Sequence, residues 1–469
     1  MTPRTWIGTA VSLFAIAAIT ASAAAGDNAA LPAVVSPMAR DGQSRDAQGW
    51  ESAAGAMDGE SGREPSMAGA APGVTWTADQ VTEIAVRNHP LVRQSEAETM
   101  AAAARKGQAE SSWYPSVTLS TGYSRVRSFS IQSETSVTTP NEFLRGDLSM
   151  ILTDFGRTRA SVNRSDALLS STREAGTTVR EDVAYAAKVG YFNVLRAVRN
   201  LDVKRDTLRQ RESLLKQAQA YFEAGIRAKI DVARAEANLY DARAQVSQAG
   251  NEVRVARITL LSRMGVDGPP DFLLSDTLAA ETIPGTLADW IAEADRNRSE
   301  LRSLRERERA AAMGVRFARA GHLPTLAGTA GYGYAADETP LDPGYDVGVT
   351  LSVPLFSGFL VREQVKEAEA SLSSVRHQLT DARRLVLLQV EQAAYGMSEA
   401  SERIEARKKE REASDENLRL ATARYEVGAG DIIEMIDAQV QMTQADTATI
   451  DAQFDYSIAV ATLKRAVGR

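Results

Sequence analysis

The residues best placed to do chemistry lie near the C-terminus, in the stretch GAGDIIEMIDAQ (Gly428–Gln439). Two glycines open it, and Asp431, Glu434 and Asp437 follow three apart among Ile432, Ile433, Met435 and Ile436. Carboxylates can move protons or hold a metal, but both tasks need other groups that converge on them. The chain has no cysteine, and its three histidines, His89, His322 and His377, are scattered. No catalytic residue, metal site or cofactor is therefore expected, and the chain does not read as an enzyme. What remains is fixed charge. Acids in the first turns of a helix complement its dipole, which suffices for Asp431 and leaves Glu434 and Asp437 open.

The elements that must position these acids begin with composition. The chain has 469 residues and a formal charge of -7, which gives no broad electrostatic case for nucleic acid. The absence of cysteine removes disulfides and N-terminal lipid attachment through a thiol. MTPRTWIGTAVSLFAIAAITASAAAGD has a positive charge at Arg4, an apolar run from Trp6 to Ile19, and small residues at Ala21, Ala23 and Ala25. That layout predicts a cleaved signal peptide over 1–25. Residues 26–73 are rich in Ala, Gly, Ser, Pro and charge without a period, and read as a flexible low-complexity leader. No later run is apolar enough for a membrane helix.

The rest of the chain repeats itself. RNHPLVRQ (Arg87 onward) aligns with RNRSELRS (Arg296 onward) as far as Pro115 over Pro324, at an offset of 209. Gly225–Gly265 aligns with Gly428–Gly468 at an offset of 203, with nine of 41 positions identical. The reading is a first repeat over 74–265, a linker over 266–286 and a second repeat over 287–469. The opening stretch is thus the second copy of a turn at Gly225.

Within each repeat, long reaches carry no proline: none falls between Leu152 and Pro269, and none follows Pro354. They are rich in good helix formers. Asp154–Tyr221 and Ser357–Tyr425 each read as one helix of roughly 95–100 Å, followed after a glycine by Asp231–Met264 or Asp431–Val467. In these second helices alanine recurs every seven residues, at Ala235, Ala242, Ala249 and Ala256 and again at Ala438, Ala445, Ala452 and Ala459. A seven-residue repeat of small side chains keeps one face free for the close approach of a neighbouring helix.

Before each long helix the texture alternates. The spacing predicts strand pairs over 116–126 and 144–153, and over 325–335 and 345–355. Val117, Leu119 and Tyr123 oppose Ser116, Thr118 and Gly122; Val347, Val349 and Leu351 oppose Asp346, Gly348 and Thr350. About ten residues with one apolar face is the signature of outer-membrane strands, and the loops RSFSIQSETSVTTPNE and AADETPLDPG suit the cell exterior. Four strands cannot close a barrel, since the smallest membrane barrels use about eight. The chain should oligomerise, and periodicity alone does not choose between two, three or four copies.

The twofold repeat, strand pairs opening into unbroken helices, LTDFGRTRA at Leu152, and a glycine followed by an acid six residues later together resemble the TolC family of outer-membrane efflux and type I secretion channels. The resemblance covers Val74–Arg469. It implies a mainly α fold with membrane β, a TolC-like α/β-barrel closing as a homotrimer. That trimer has a 12-stranded β-barrel in the outer membrane of a Gram-negative bacterium and a 12-helix tunnel through the periplasm. It also implies outer-membrane lipid around the barrel, a periplasmic adaptor (membrane fusion) protein, and an inner-membrane ABC or proton-driven transporter.

By the same resemblance the turns after Gly225 and Gly428 form the periplasmic tip, where an adaptor docks and inner helices close the tunnel. Glu434 and Asp437 then ring the constriction, and six carboxylates there would repel anions and favour cations. A latch is implied between Tyr425 and Asp231. The arginine that joins it in the family is missing, since Gly430 stands there; Arg227 occupies the corresponding place in the first repeat. A trimeric adhesin or a structural periplasmic coiled coil with a shared membrane anchor is the alternative. An adhesin would carry its strands once, at the C-terminus, whereas here two pairs sit between helices. The cargo, polypeptide or small molecule, is not written in the sequence.

Overall fold

The structure is a computed structural model, described over residues 75–130, 135–275, 283–336 and 342–469. The expected signal peptide and leader fall outside the described residues, as does the middle of the linker. The first copy runs β1 (Thr75–Trp76), α1 (Ala78–Asn88), α2 (Pro90–Glu110), β2 (Ser116–Ser130), β3 (Thr135–Thr153), α3 (Arg157–Glu223) and α4 (Lys229–Met264). The second runs β4 (Leu273–Leu274), α5 (Leu287–Asn297), α6 (Ser299–Arg319), β5 (Thr325–Ala336), β6 (Asp342–Ser352), α7 (Leu360–Glu426) and α8 (Ile432–Val467). The two long helices are 67 residues each and the two that follow the glycines are 36 each, the same in both copies. No described helix is long and apolar enough to cross a membrane.

The four long strands form one antiparallel sheet in the order β2-β3-β5-β6. The apolar alternation holds: Val117, Leu119, Tyr345, Val347 and Val349 are exposed on one face. Strand length differs from the sequence reading. β2 and β3 have 15 and 19 residues rather than about ten, so most of the expected loop RSFSIQSETSVTTPNE is strand. Cross-strand pairing between β2 and β3 continues as far as Ser130 and Thr135, and Thr, Ser and Val are accepted in strands even though a run of them looks loop-like on polarity alone. The β5–β6 pair is shorter, at 12 and 11 residues.

Sheet passes to helix through two consecutive residues of positive φ, Phe155 and Gly156 in the first copy, Gly358 and Phe359 in the second. Below this elbow, α3 packs on α2 and α6, and α7 on α6, giving the lateral order α2-α3-α6-α7. Further down the order is α4-α3-α8-α7. The heptad alanines lie in these seams: Ala235, Ala242 and Ala249 are buried on α4, and Ala438, Ala445 and Ala452 on α8.

Where short helices meet end to end, each copy builds the same joint. His89 leaves helical geometry at ψ 128° before Pro90, as a residue preceding proline must, and its Nδ1 accepts from the Leu91 N–H at 3.2 Å. α4 ends at Gly265 (φ +64°), pressed so close to that break that a Cβ would lie 2.7 Å from His89 Cα. In the second copy Arg298 makes the break at ψ 119° without a proline, and α8 ends against it at Gly468 (φ +85°). Two apolar cores mark these joints. One gathers Val81, Tyr191, Leu260, Met264 and Phe454; the other gathers Trp290, Leu301, Val390 and Leu463. A third, smaller core of Leu214, Ala218, Ala235, Tyr425, Ile432 and Met435 lies at the far end of the helices.

Candidate functional site

The far end holds the residues that the resemblance assigns to the tip: Gly225, Arg227, Asp231, Tyr425, Gly428, Gly430, Glu434 and Asp437. Both turns use a positive-φ glycine, Gly225 (φ +73°) and Gly428 (φ +77°), where the left-handed backbone excludes a side chain at little cost. After Gly225, the Ile226 N–H donates to the Tyr221 carbonyl at 2.9 Å; after Gly428, the Ala429 N–H donates to the Arg424 carbonyl at 2.9 Å. Gly430 is tight for a different reason. A Cβ there would fall 3.1 Å from Arg424 Cβ and 3.2 Å from the Tyr425 nitrogen, so the turn folds back on the end of α7 and a side chain would press on that end.

Arg227 enters this space from the other turn. Its Nη2 donates to the Gly430 carbonyl at 2.9 Å, and its guanidinium lies 5.1 Å from the centre of the Tyr425 ring. Tyr425 is fully buried, with the Tyr221 ring 6.0 Å away on a tilt. The structure brings Asp231, also buried, to the same end, but the Tyr425 hydroxyl has no hydrogen-bond partner among the described residues. Burial, and then the Asp231 carboxylate, push the phenol above its ordinary value, while Arg227 acts the other way. What ties the two turns together here is therefore the arginine on carbonyl and ring.

The acids divide into three cases. Asp431 is the N-cap of α8 and accepts from the Ile433 N–H at 3.5 Å, the bland role expected of it. Glu434 and Asp437 are both exposed, whereas Ile432, Met435 and Ala438 beside them on α8 are buried. Glu434 is not free: Arg424 Nη1 lies 3.2 Å from its Oε1. Sequence reasoning missed Arg424, which stands beside a buried tyrosine with no pattern to mark it. It also missed Arg211 on α3, buried with one nitrogen unpartnered and its pKa lowered by burial despite Asp241 nearby. Gln439 on α8 likewise buries an unpartnered oxygen. Thr207 and Thr443 meet at 3.1 Å, one helical turn away from each of these. The seam above the tip thus buries polar atoms with no hydrogen-bond partner among the described residues.

A second polar cluster fixes the joint of the second copy. Arg298 donates to the Arg465 and Ala466 carbonyls at 3.2 and 3.3 Å, and pairs with Glu300 at 3.0 Å. Arg465 closes on Glu300 at 2.6 Å and on Asp182 at 2.7 Å. Burial alone would raise Glu300; the Arg465 hydrogen bond, a backbone hydrogen bond and the charges of Arg465 and Arg298 together outweigh it and hold the carboxyl below its usual range.

The outer membrane efflux protein family model matches residues 81–266 and 290–469, one stretch in each copy. The outer membrane protein TolC of Escherichia coli (strain K12) is 27% identical over 344 residues, covering 66% of this chain and 69% of the relative. The protein CyaE of Bordetella pertussis is 28% identical over 391 residues, covering 79% and 82%. Among solved structures, CusC superposes with a TM-score of 0.76 at 18% identity, over 83% of this chain and 92% of that one. The open state of the Neisseria gonorrhoeae MtrE outer membrane channel gives 0.72 at 19%, over 83% and 88%. At that identity the structures speak for the fold. With both copies matched, the chain belongs to the outer membrane efflux protein family and is an outer-membrane channel protein of the TolC type.

Proposed function

We propose that three copies of the chain close head to tail into a channel-tunnel. It exports polypeptides or small molecules from the periplasm across the outer membrane and is gated at its periplasmic tip. The observation that carries this reading is that sheet and helices end on matching open edges. One edge consists of β2, α2 and α4, and the other of β6 and α7. Unpaired strand edges are untenable in lipid. The helical edges expose Tyr240, Val255 and Ile258 on α4, and Leu385, Leu388 and Tyr395 on α7. Such an interface repeats by rotation, and three copies give twelve strands and twelve helices.

At the tip, Asp437 and Glu434 from three chains ring the constriction, with Arg424 offsetting the glutamate, and Arg227 on Gly430 and Tyr425, beside Asp231, serves as the latch. The turns at Gly225 and Gly428 are the surface for a periplasmic adaptor. In this reading an inner-membrane ABC or proton-driven transporter supplies the energy.

Single-channel conductance in a planar bilayer tests the reading. Wild type should conduct weakly with cation preference, and Glu434→Ala with Asp437→Ala should lose much of it. Pores indistinguishable from wild type would move the constriction elsewhere; trimers that form no pore would overturn the channel.

A further inference from the structure

The inner face of the sheet, opposite the exposed apolar residues, carries a charged group that the tip does not account for. Asp147, Gly331 and Asp346 stand directly opposite one another across β3, β5 and β6. Arg145, two residues along β3 on the same face, donates from Nε to Asp147 Oδ1 at 2.6 Å and from Nη2 to Asp346 Oδ1. To reach Asp346 the guanidinium must pass over β5, and the residue it crosses is a glycine. A Cβ at Gly331 would fall 2.8 Å from Arg145 Cζ and 2.8 Å from Asp346 Oδ1. At the adjacent Gly333 a Cβ would fall 2.6 Å from the Leu144 carbonyl oxygen. Two side-chain-free positions thus hold open the track in which one arginine bridges two aspartates on different strands. Elsewhere on this face the described strand residues carry charge at Asp342 alone, near the outer end of β6.

We propose that Arg145, Asp147 and Asp346 form, in three copies, a charge-selecting belt inside the barrel that sorts permeants by sign independently of the tip acids. The inference rests on the trimeric channel proposed above. Each chain contributes a net single negative charge at this level, and the ring three. Twelve strands about 4.8 Å apart and tilted about 40° place the wall about 12 Å from the axis. The screening length is about 10 Å at 0.1 M salt and about 30 Å at 0.01 M. The belt therefore reaches the axis at low salt and is masked at high salt. It favours cationic over anionic permeants.

The test measures reversal potential across a KCl gradient, with every variant built on Glu434→Gln, Asp437→Asn and Arg424→Gln, so that the acids of the constriction and the arginine paired with them are all neutral. The background should remain cation-selective at about 10 mM salt and lose the preference near 1 M. Asp147→Asn with Asp346→Asn leaves three arginines alone and should invert the sign of the reversal potential. Arg145→Gln leaves six carboxylates and should deepen cation preference, while Arg145→Lys should match the background. If the double variant does not assemble, Arg145→Gln against Arg145→Lys decides. Pores whose reversal potentials agree across all variants overturn the belt and leave the channel standing. Absence of pores from the unmodified trimer overturns both.

Discussion

Arg227 is the residue whose contacts most exceed what its position promised. A charge-assisted hydrogen bond contributes about 1.5–3 kcal/mol and a cation–π contact about 0.5–2 kcal/mol. Arg227→Ala should lower the barrier to tip opening by about 1–3 kcal/mol, since the guanidinium is partly solvated. Openings per unit time should then rise about tenfold or more. Single-channel dwell times check this, with Arg227→Lys, which cannot match the planar stacking, falling between. Arg424→Ala makes the opposite use of charge: it uncovers Glu434, and the permeability ratio of potassium to chloride should rise. The resemblance to the TolC family placed Tyr425, Asp231, Glu434 and Asp437 at one end, and the two turns duplicated at a fixed offset are what carried that resemblance onto these residues. It did not reveal that Gly430 lies close against the end of α7, because that depends on how the turn folds back. Nor did it mark Arg424, whose partner lies ten residues away across the turn.

Among elements, the helices were the most legible. Absence of proline, good helix formers and a glycine stop located both long helices within three residues at each end. The seven-residue alanine spacing located the seams, and Ala445, 1% exposed, tests them. Ala445→Leu should cost about 1–3 kcal/mol by overpacking, read as a lower midpoint in thermal unfolding. Strand lengths were less legible because a run of Ser and Thr reads as a loop on polarity alone until its pairing partner is known. The break at Arg298 was invisible for a related reason: no proline makes it, and a tertiary network holds it. Glu300 is the hinge of that network. Its carboxyl lies below the usual value of 4.5, so its contribution is complete above that value and is lost as pH falls through the lower folded one. Glu300→Gln should destabilise the joint by about 1–3 kcal/mol at neutral pH. Between about pH 5 and pH 3 its unfolding midpoint should fall less than that of wild type.

At the scale of the whole molecule, the two open edges make a quantitative demand. Ile258→Glu on one edge or Leu388→Glu on the other should each abolish the oligomer while leaving helix content intact. Light scattering in detergent against circular dichroism checks this; a trimer that survives both charges would place the interface elsewhere. Repeat, strand pairs and seams were readable without coordinates because each is a local pattern repeated. Which edges meet was not, since neither β2 nor α4 announces from its own residues that it has a neighbour on one side only.

The long helices have a mechanical consequence. α3 and α7 run without interruption past the joints to the tip, while their shorter neighbours are segmented there. From Tyr191 at the first joint to Glu223 at the tip is about 50 Å of stiff rod. A rotation of about 5° at the joint therefore carries the free end about 4 Å sideways, as much as the reach of a side chain. The joints are the fulcrum of a pair of lever arms. In the channel proposed above, their closely packed glycines and buried arginine would set how far the tip can swing, and a small push near the fulcrum would move the tip by a much larger distance.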